Sequence, residues 1–156
     1  MERTLIILKP DALQRHLIGD IIARFDRKGL QVLGLKLMKI PKELAETHYD
    51  AHKERPFFPG LVHFMTSSPV IVIALAGKDA INVARKLIGA TNSAKAEPGT
   101  IRGDFGMSGS FNLVHGSDSP ESAMRELTLF FKNDEIIDWA PSTQGWVYDM
   151  SKGAPQ

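Results

Sequence analysis

The chain has 156 residues, enough to bury a full core without disulfide or metal staples. Its 19 basic and 18 acidic side chains leave a formal charge of +1, so no global field recruits nucleic acid or an anionic membrane. Having no cysteine, it cannot form disulfides, thiolate metal sites or thiol nucleophiles.

The first predicted element is a buried strand over Thr4 to Leu8, stopped by Pro10. Leu5-Ile6-Ile7-Leu8 is cut off by Lys9-Pro10-Asp11 and lacks the length and cleavage site of a signal peptide, so a soluble cytoplasmic protein is expected. Ile18, Ile21, Ile22 and Phe25 recur at helical spacing up to Gly29, a C-terminal stop. Leu30 to Met38 alternates, with a phase change near Gly34 that marks a candidate bulge. Pro41 opens a predicted helix carrying Leu44, His48 and Tyr49. A turn-rich Arg55-Pro56-Phe57-Phe58-Pro59-Gly60 stretch leads into a short helix through Leu61 and Phe64. Pro69 precedes a strand from Val70 to Ala76, an apolar run far too short to span a bilayer. Ala80, Ala84, Leu87 and Ile88 line one face of the next helix, which ends at Gly89.

Gly89 to Ser110 has no helical or strand period, and so long an irregular stretch in a compact domain marks function or disorder. A strand through Asn112 to Val114 then delivers His115 to a Gly-Ser-Asp-Ser turn. Ser119-Pro120 supplies an N-cap with proline at the first helical position, and Ala123, Leu127, Phe130 and Phe131 form the buried face behind it. Residues 1–150 read as one domain and 151–156 as a loose tail. The order β-α-β-α-β-α-β-α fits either a doubly wound parallel sheet or a split β-α-β sandwich, and periodicity does not choose.

The segment from Asn112 to Glu126 carries the chemistry. An imidazole at a strand end, beside the amides that start a helix and within reach of a carboxylate, suits a nucleophile or proton-transfer group. Glu126 lies two turns into the following helix; bonded to one ring nitrogen of His115, it would leave the other nitrogen free to attack. The free N–H groups of the turn favour an anion. Lys9, Arg85 and Arg102, with Thr91, supply the means to clamp a polyphosphate, whose transfer depends on positioning and charge neutralisation. Phe57 and Phe58 suit either base stacking or the packing of a loop lid. Other readings lack their signatures. There is no G-x-x-x-x-G-K-[ST] loop, no dinucleotide fingerprint and no G-x-S-x-G elbow. His48 and His52 are four apart, but Tyr49 stands where an H-E-x-x-H zinc motif needs glutamate.

Four ordered motifs run along nearly the whole chain: Lys9-Pro10-Asp11, His52-Lys53-Glu54-Arg55-Pro56-Phe57-Phe58, Gly99-Thr100-Ile101-Arg102-Gly103-Asp104 and Asn112-x-x-His115-Gly116-Ser117-Asp118-Ser119. Together they resemble the nucleoside diphosphate kinase family. The resemblance implies a ferredoxin-like α/β sandwich, a four-stranded antiparallel sheet covered by helices. It implies ping-pong transfer of the γ-phosphate from a nucleoside triphosphate to a nucleoside diphosphate through phosphohistidine at His115, with broad base specificity. Glu126 would orient His115 and Ser117 would support that pair. Tyr49 would sit beside the transferred group and His52 near the β-phosphate. Arg85, Arg102 and Thr91 would bind phosphates, with Mg²⁺ bridging them and no metal site of the protein's own. Lys9 and Asn112 would meet the ribose and terminal phosphate, and Phe57 would stack on the base. A homo-oligomer is implied; the C-terminal portion with Trp139, Trp146 and Tyr148 favours a hexamer over a tetramer. No nucleic acid or membrane partner is expected.

Two positions depart from the family pattern. Ser93 stands where many relatives carry proline, and Gly109 where a bulkier apolar residue is often found near the base. Two rivals remain: a regulatory module that binds nucleotide but leaves His115 unmodified, and a histidine phosphatase that releases phosphate to water.

Overall fold

The computed structural model describes residues 1–156. Four strands form one sheet in the order β2-β3-β1-β4: β1 is Glu2–Leu8, β2 Gln31–Met38, β3 Val70–Gly77 and β4 Val114–Gly116. Every neighbouring pair is antiparallel, which excludes the doubly wound alternative and leaves the ferredoxin-like sandwich. The helices are α1 (Pro10–Gln14), α2 (Ile18–Lys28), α3 (Lys42–His48), α4 (Phe58–Thr66), α5 (Ala80–Ile88), α6 (Ile101–Phe105), α7 (Pro120–Phe130) and α8 (Gln144–Val147). None is long and apolar enough to cross a membrane.

Both faces of β1 and β3 are covered, so these central strands read as unbroken apolar runs. Leu5 and Ile7 of β1, with Val70, Val72 and Ala74 of β3, pack against Ala45 of α3, Val62 and Met65 of α4, and Leu127 and Phe130 of α7. Ile6, Leu8, Ile71, Ile73 and Leu75 point the other way, onto Ile21 and Phe25 of α2 and Ala80, Ala84 and Ile88 of α5. Two pieces of the same strand thus serve two cores, because successive side chains alternate faces.

The register of β2 on β3 slips between Val32 and Gly34, the bulge marked by the phase change in the sequence. The chain after α7 returns along this edge. Ile137 N–H donates to the Leu33 carbonyl (2.9 Å), and Trp139 Nε1 donates to that of Val32 (2.9 Å). A side chain at Gly34 would collide with the Glu135 carbonyl at 2.7 Å. Trp139 and Tyr148 are tied back in this way, Tyr148 through a hydroxyl that accepts the Lys78 N–H (3.2 Å), whereas Trp146 is 92% exposed.

Two expectations need correcting. The irregular stretch after Gly89 contains a 3₁₀ turn at Ser93–Lys95 and the whole of α6. These pieces are too short to show a period, and they stand on side-chain caps: Asn92 Oδ1 accepts the Ala94 N–H and Thr100 Oγ1 accepts the Gly103 N–H. The last strand begins at Val114, not Asn112. Leu113 has φ +71°, a left-handed conformation that interrupts the extended run before Val114.

Candidate active site

Register alone aims His115. It lies opposite Ile7 on β1, and directly paired residues share a face, so His115 points to the side covered by α3, α4 and α7. On α7, Ala123, Glu126, Leu127 and Phe130 make the buried stripe at i, i+3, i+4 and i+7, which turns the Glu126 carboxylate inward among apolar neighbours. Ser119 caps this helix, its hydroxyl accepting the Ser122 N–H (3.1 Å), with Pro120 in its first turn. The two elements bring His115 Nε2 into a hydrogen bond with Glu126 Oε2. The same bond orients the ring and commits Nε2, so Nδ1 is the nitrogen left for chemistry.

The His115 ring borders a cavity of about 930 Å³. All the predicted site residues except Ser117 line it: Lys9, Tyr49, His52, Phe57, Arg85, Thr91, Arg102, Asn112 and Glu126 join His115 there. Ser117 is fully buried elsewhere. Its hydroxyl accepts the Leu5 N–H (3.1 Å), so it braces the end of β4 against β1 and hydrogen-bonds neither Glu126 nor His115.

The cationic end is built from buried groups. Lys9 Nζ donates to Asn112 Oδ1 (2.7 Å), and Asn112 Nδ2 donates to the Thr91 carbonyl (2.9 Å). Burial, reinforced by the charge of Arg102, lowers the Lys9 ammonium to about 8. Arg102 donates from Nε to the Asn112 carbonyl (3.0 Å), from Nη1 to Gly89 (3.1 Å) and from Nη2 to Val114 (2.6 Å). It therefore splints the segment leading to the histidine and keeps two of its five N–H donors for a ligand. Burial and then Arg85 bring it down to about 10. Arg85 is exposed and reaches the Gly116 carbonyl at 3.4 Å. The strained Leu113 is pinned from both sides: its N–H donates to Asp11 Oδ2 (3.1 Å), and its carbonyl accepts the Lys9 N–H (2.8 Å).

Sequence reasoning missed His48, which lines the same cavity. Its ring stands edge-on to His115 (centroids 4.8 Å apart, 81°) and to Tyr49 (4.4 Å, 67°). Burial, with His115 and Arg125 adding to it, drives the His48 imidazole down to about 2, so it is neutral. Neither of its nitrogens has a partner, and Nδ1 lies 3.9 Å from Glu126 Oε2. His48, His115 and Glu126 bring three potential metal-ligating atoms within 4.8 Å, yet the close His115–Glu126 contact leaves no room for an ion between those two. The Tyr49 hydroxyl is likewise buried and unpartnered; burial, then Glu126, raises its pKa. His52 is exposed, its ring 5.5 Å from that of Phe57. Apart from Glu126, the one carboxylate on the cavity wall is Asp118. Hydrogen bonds from Ser122, then Ser119, hold it below the usual carboxylate range. A hard cation would thus find one carboxylate here that is not already committed to His115, which fits a divalent cation carried in with a nucleotide rather than a metal held by the protein alone.

The sequence pattern of the family described as nucleoside diphosphate kinase matches residues 2–136. The chain belongs to the nucleoside diphosphate kinase family. It is accordingly a phosphotransferase with nucleotide substrates. A nucleoside diphosphate kinase of a Synechococcus species is 57% identical over 149 residues, covering 96% of this chain and all of the relative. That of Archaeoglobus fulgidus is 52% identical over 149 residues, covering 96% and 99%. Among solved structures, the halophilic family member from Halobacterium salinarum, determined in complex with CDP, superposes with a TM-score of 0.92 at 49% identity, covering 94% of this chain and 98% of that one.

Proposed function

We propose that the enzyme works by ping-pong transfer through His115, and the observation that carries this reading is the Glu126–His115 bond. With Nε2 committed to the carboxylate, the Nδ1 lone pair attacks the γ-phosphorus of a nucleoside triphosphate. The bond from γ-phosphorus to the bridging oxygen breaks, the electron pair leaves on the β-phosphate, and a nucleoside diphosphate departs. Glu126 stabilises the positive charge that develops on the ring. A second diphosphate then attacks the phosphohistidine through its terminal oxygen, the N–P bond breaks, and free His115 returns.

Lys9, Arg85 and the spare donors of Arg102 offset the phosphate charge, while Asn112 and Thr91 hold Lys9 in place. His52 and Tyr49 flank the phosphoryl path. When bound, Mg²⁺ supplies charge neutralisation across the phosphates, with Asp118 the side chain placed to meet it. Phe57, 53% exposed at the start of α4, offers a stacking face that every base can use, which supports broad base specificity. We extend the proposal to a cytoplasmic homo-oligomer, a hexamer rather than a tetramer, supported by the exposed apolar edge of β2 and the C-terminal segment laid along it.

Intact mass after brief exposure to Mg-ATP tests the mechanism. Wild type should gain one acid-labile phosphoryl group, His115→Ala none, and added GDP, CDP or UDP should each discharge it as triphosphate at comparable rates. An adduct lost to water regardless of acceptor would make the protein a phosphatase. Bound nucleotide without any adduct would make it a regulatory module.

A further inference from the structure

One end of the cavity is aromatic. Phe57, Leu61 and Phe64 lie at i, i+4 and i+7 on the α4 face that lines it, with Gly60 between them. Phe111, from the loop before β4, lines the same cavity and stacks flat on Phe64, with centroids 4.4 Å apart and planes 11° from parallel. Its backbone is fixed as well, the Phe111 N–H donating to Ser108 Oγ (3.1 Å). Phe64 covers one side of the Phe111 ring, and yet Phe111 remains 55% exposed. Gly109 lines the cavity without a side chain, and a Cβ added there would make only an ordinary contact with the Asn92 side chain, at 3.7 Å.

We propose that Phe111, braced by Phe64, is a second aromatic contact for the nucleobase and determines how tightly this cleft grips the base end of its substrate. The proposal rests on the nucleotide-transfer reading above and adds a residue to it. The cleft has the polarity of a nucleotide, with cations gathered around His115 and flat apolar surface on α4 and the loop. Gly109 presents no side chain to the cleft, and Phe111, two residues on, is the apolar surface this loop turns toward it.

The test compares wild type with Phe111→Ala and Phe111→Tyr, using ADP, GDP, CDP and UDP as acceptors. Calorimetric titration of the same four ligands into the unphosphorylated proteins reads binding without transfer. Phe111→Ala should weaken ADP and GDP about five- to tenfold, the low end for losing one stacking face, and CDP and UDP less. The loss should fall on KM rather than kcat, and Phe111→Tyr should restore it. Met107→Ala, on the same loop and outside the cavity, controls for disturbance of the loop itself. Unchanged KM and binding in Phe111→Ala, with wild type active, would overturn the role of Phe111 alone. A wild type that neither binds nor phosphorylates any diphosphate would overturn the nucleotide-transfer reading and this inference with it.

Discussion

His48 carries no charge in the fold, and that has a consequence for acid stability. Its ordinary value is 6.5, while in the folded protein protonation waits until about pH 2. Between those limits the unfolded chain binds the additional proton. The contribution is therefore complete above pH 6.5 and is lost as pH falls, by about 2 kcal/mol at pH 5. Urea titrations of wild type and His48→Gln at pH 7.5 and pH 5 should show a smaller acid loss in the variant; equal losses would place the acid sensitivity in other groups. His115 and Glu126 were legible in the sequence because one ends a strand and the other falls on the inward stripe of a capped helix. His48 was not, because its spacing to His52 suggested a shared helical face. In the structure α3 ends at His48 and a 3₁₀ turn at Asp50–His52 follows, so the two rings part company, one buried and one exposed.

Elements with a full period and a cap could be read from the chain: α2 to Gly29, α5 to Gly89, α7 from Ser119. The α6 region could not, since five residues cannot display amphipathicity and much of what holds it comes from elsewhere in the chain. Arg24 bonds Asp104 (2.6 Å), Asp104 accepts the Gly99 N–H (2.8 Å), and the backbone at Gly103 lies so close to the Glu97 carbonyl that no Cβ would fit. The neighbouring 3₁₀ turn has a weakness of its own. Ser93 is buried with a hydroxyl that finds no partner, and the residue before it, Asn92, is extended at ψ 110°, the conformation that precedes proline readily. Ser93→Pro should remove the orphan oxygen and restrict the unfolded chain, stabilising the protein by about 0.4–1 kcal/mol. A thermal midpoint raised by about 1–4 °C checks this; a lowered midpoint would mean the turn cannot take the ring.

Across the whole molecule, the apolar runs of β1 and β3 told of a sheet covered on both sides, but not of its direction. Pairing is a long-range property, and antiparallel order emerged only from the register. The edge strand β2 remains apolar without being covered: Leu35 is 48% exposed and Leu37 is 66% exposed, on the part of the edge the C-terminal segment leaves free. If a second copy covers this face, Leu37→Glu should shift the mass measured by light scattering toward smaller species. An unchanged mass would move the contact elsewhere. The strand order has one more consequence, for synthesis. β1 emerges first, yet it pairs only with β3 and β4, and β2 pairs only with β3. A ribosome must therefore pass Gly77 before any strand can find a partner. Until then the nascent chain trails Leu5-Ile6-Ile7-Leu8 as an open, adhesive segment, so a pause in translation before β3 would expose it to aggregation when the finished fold does not.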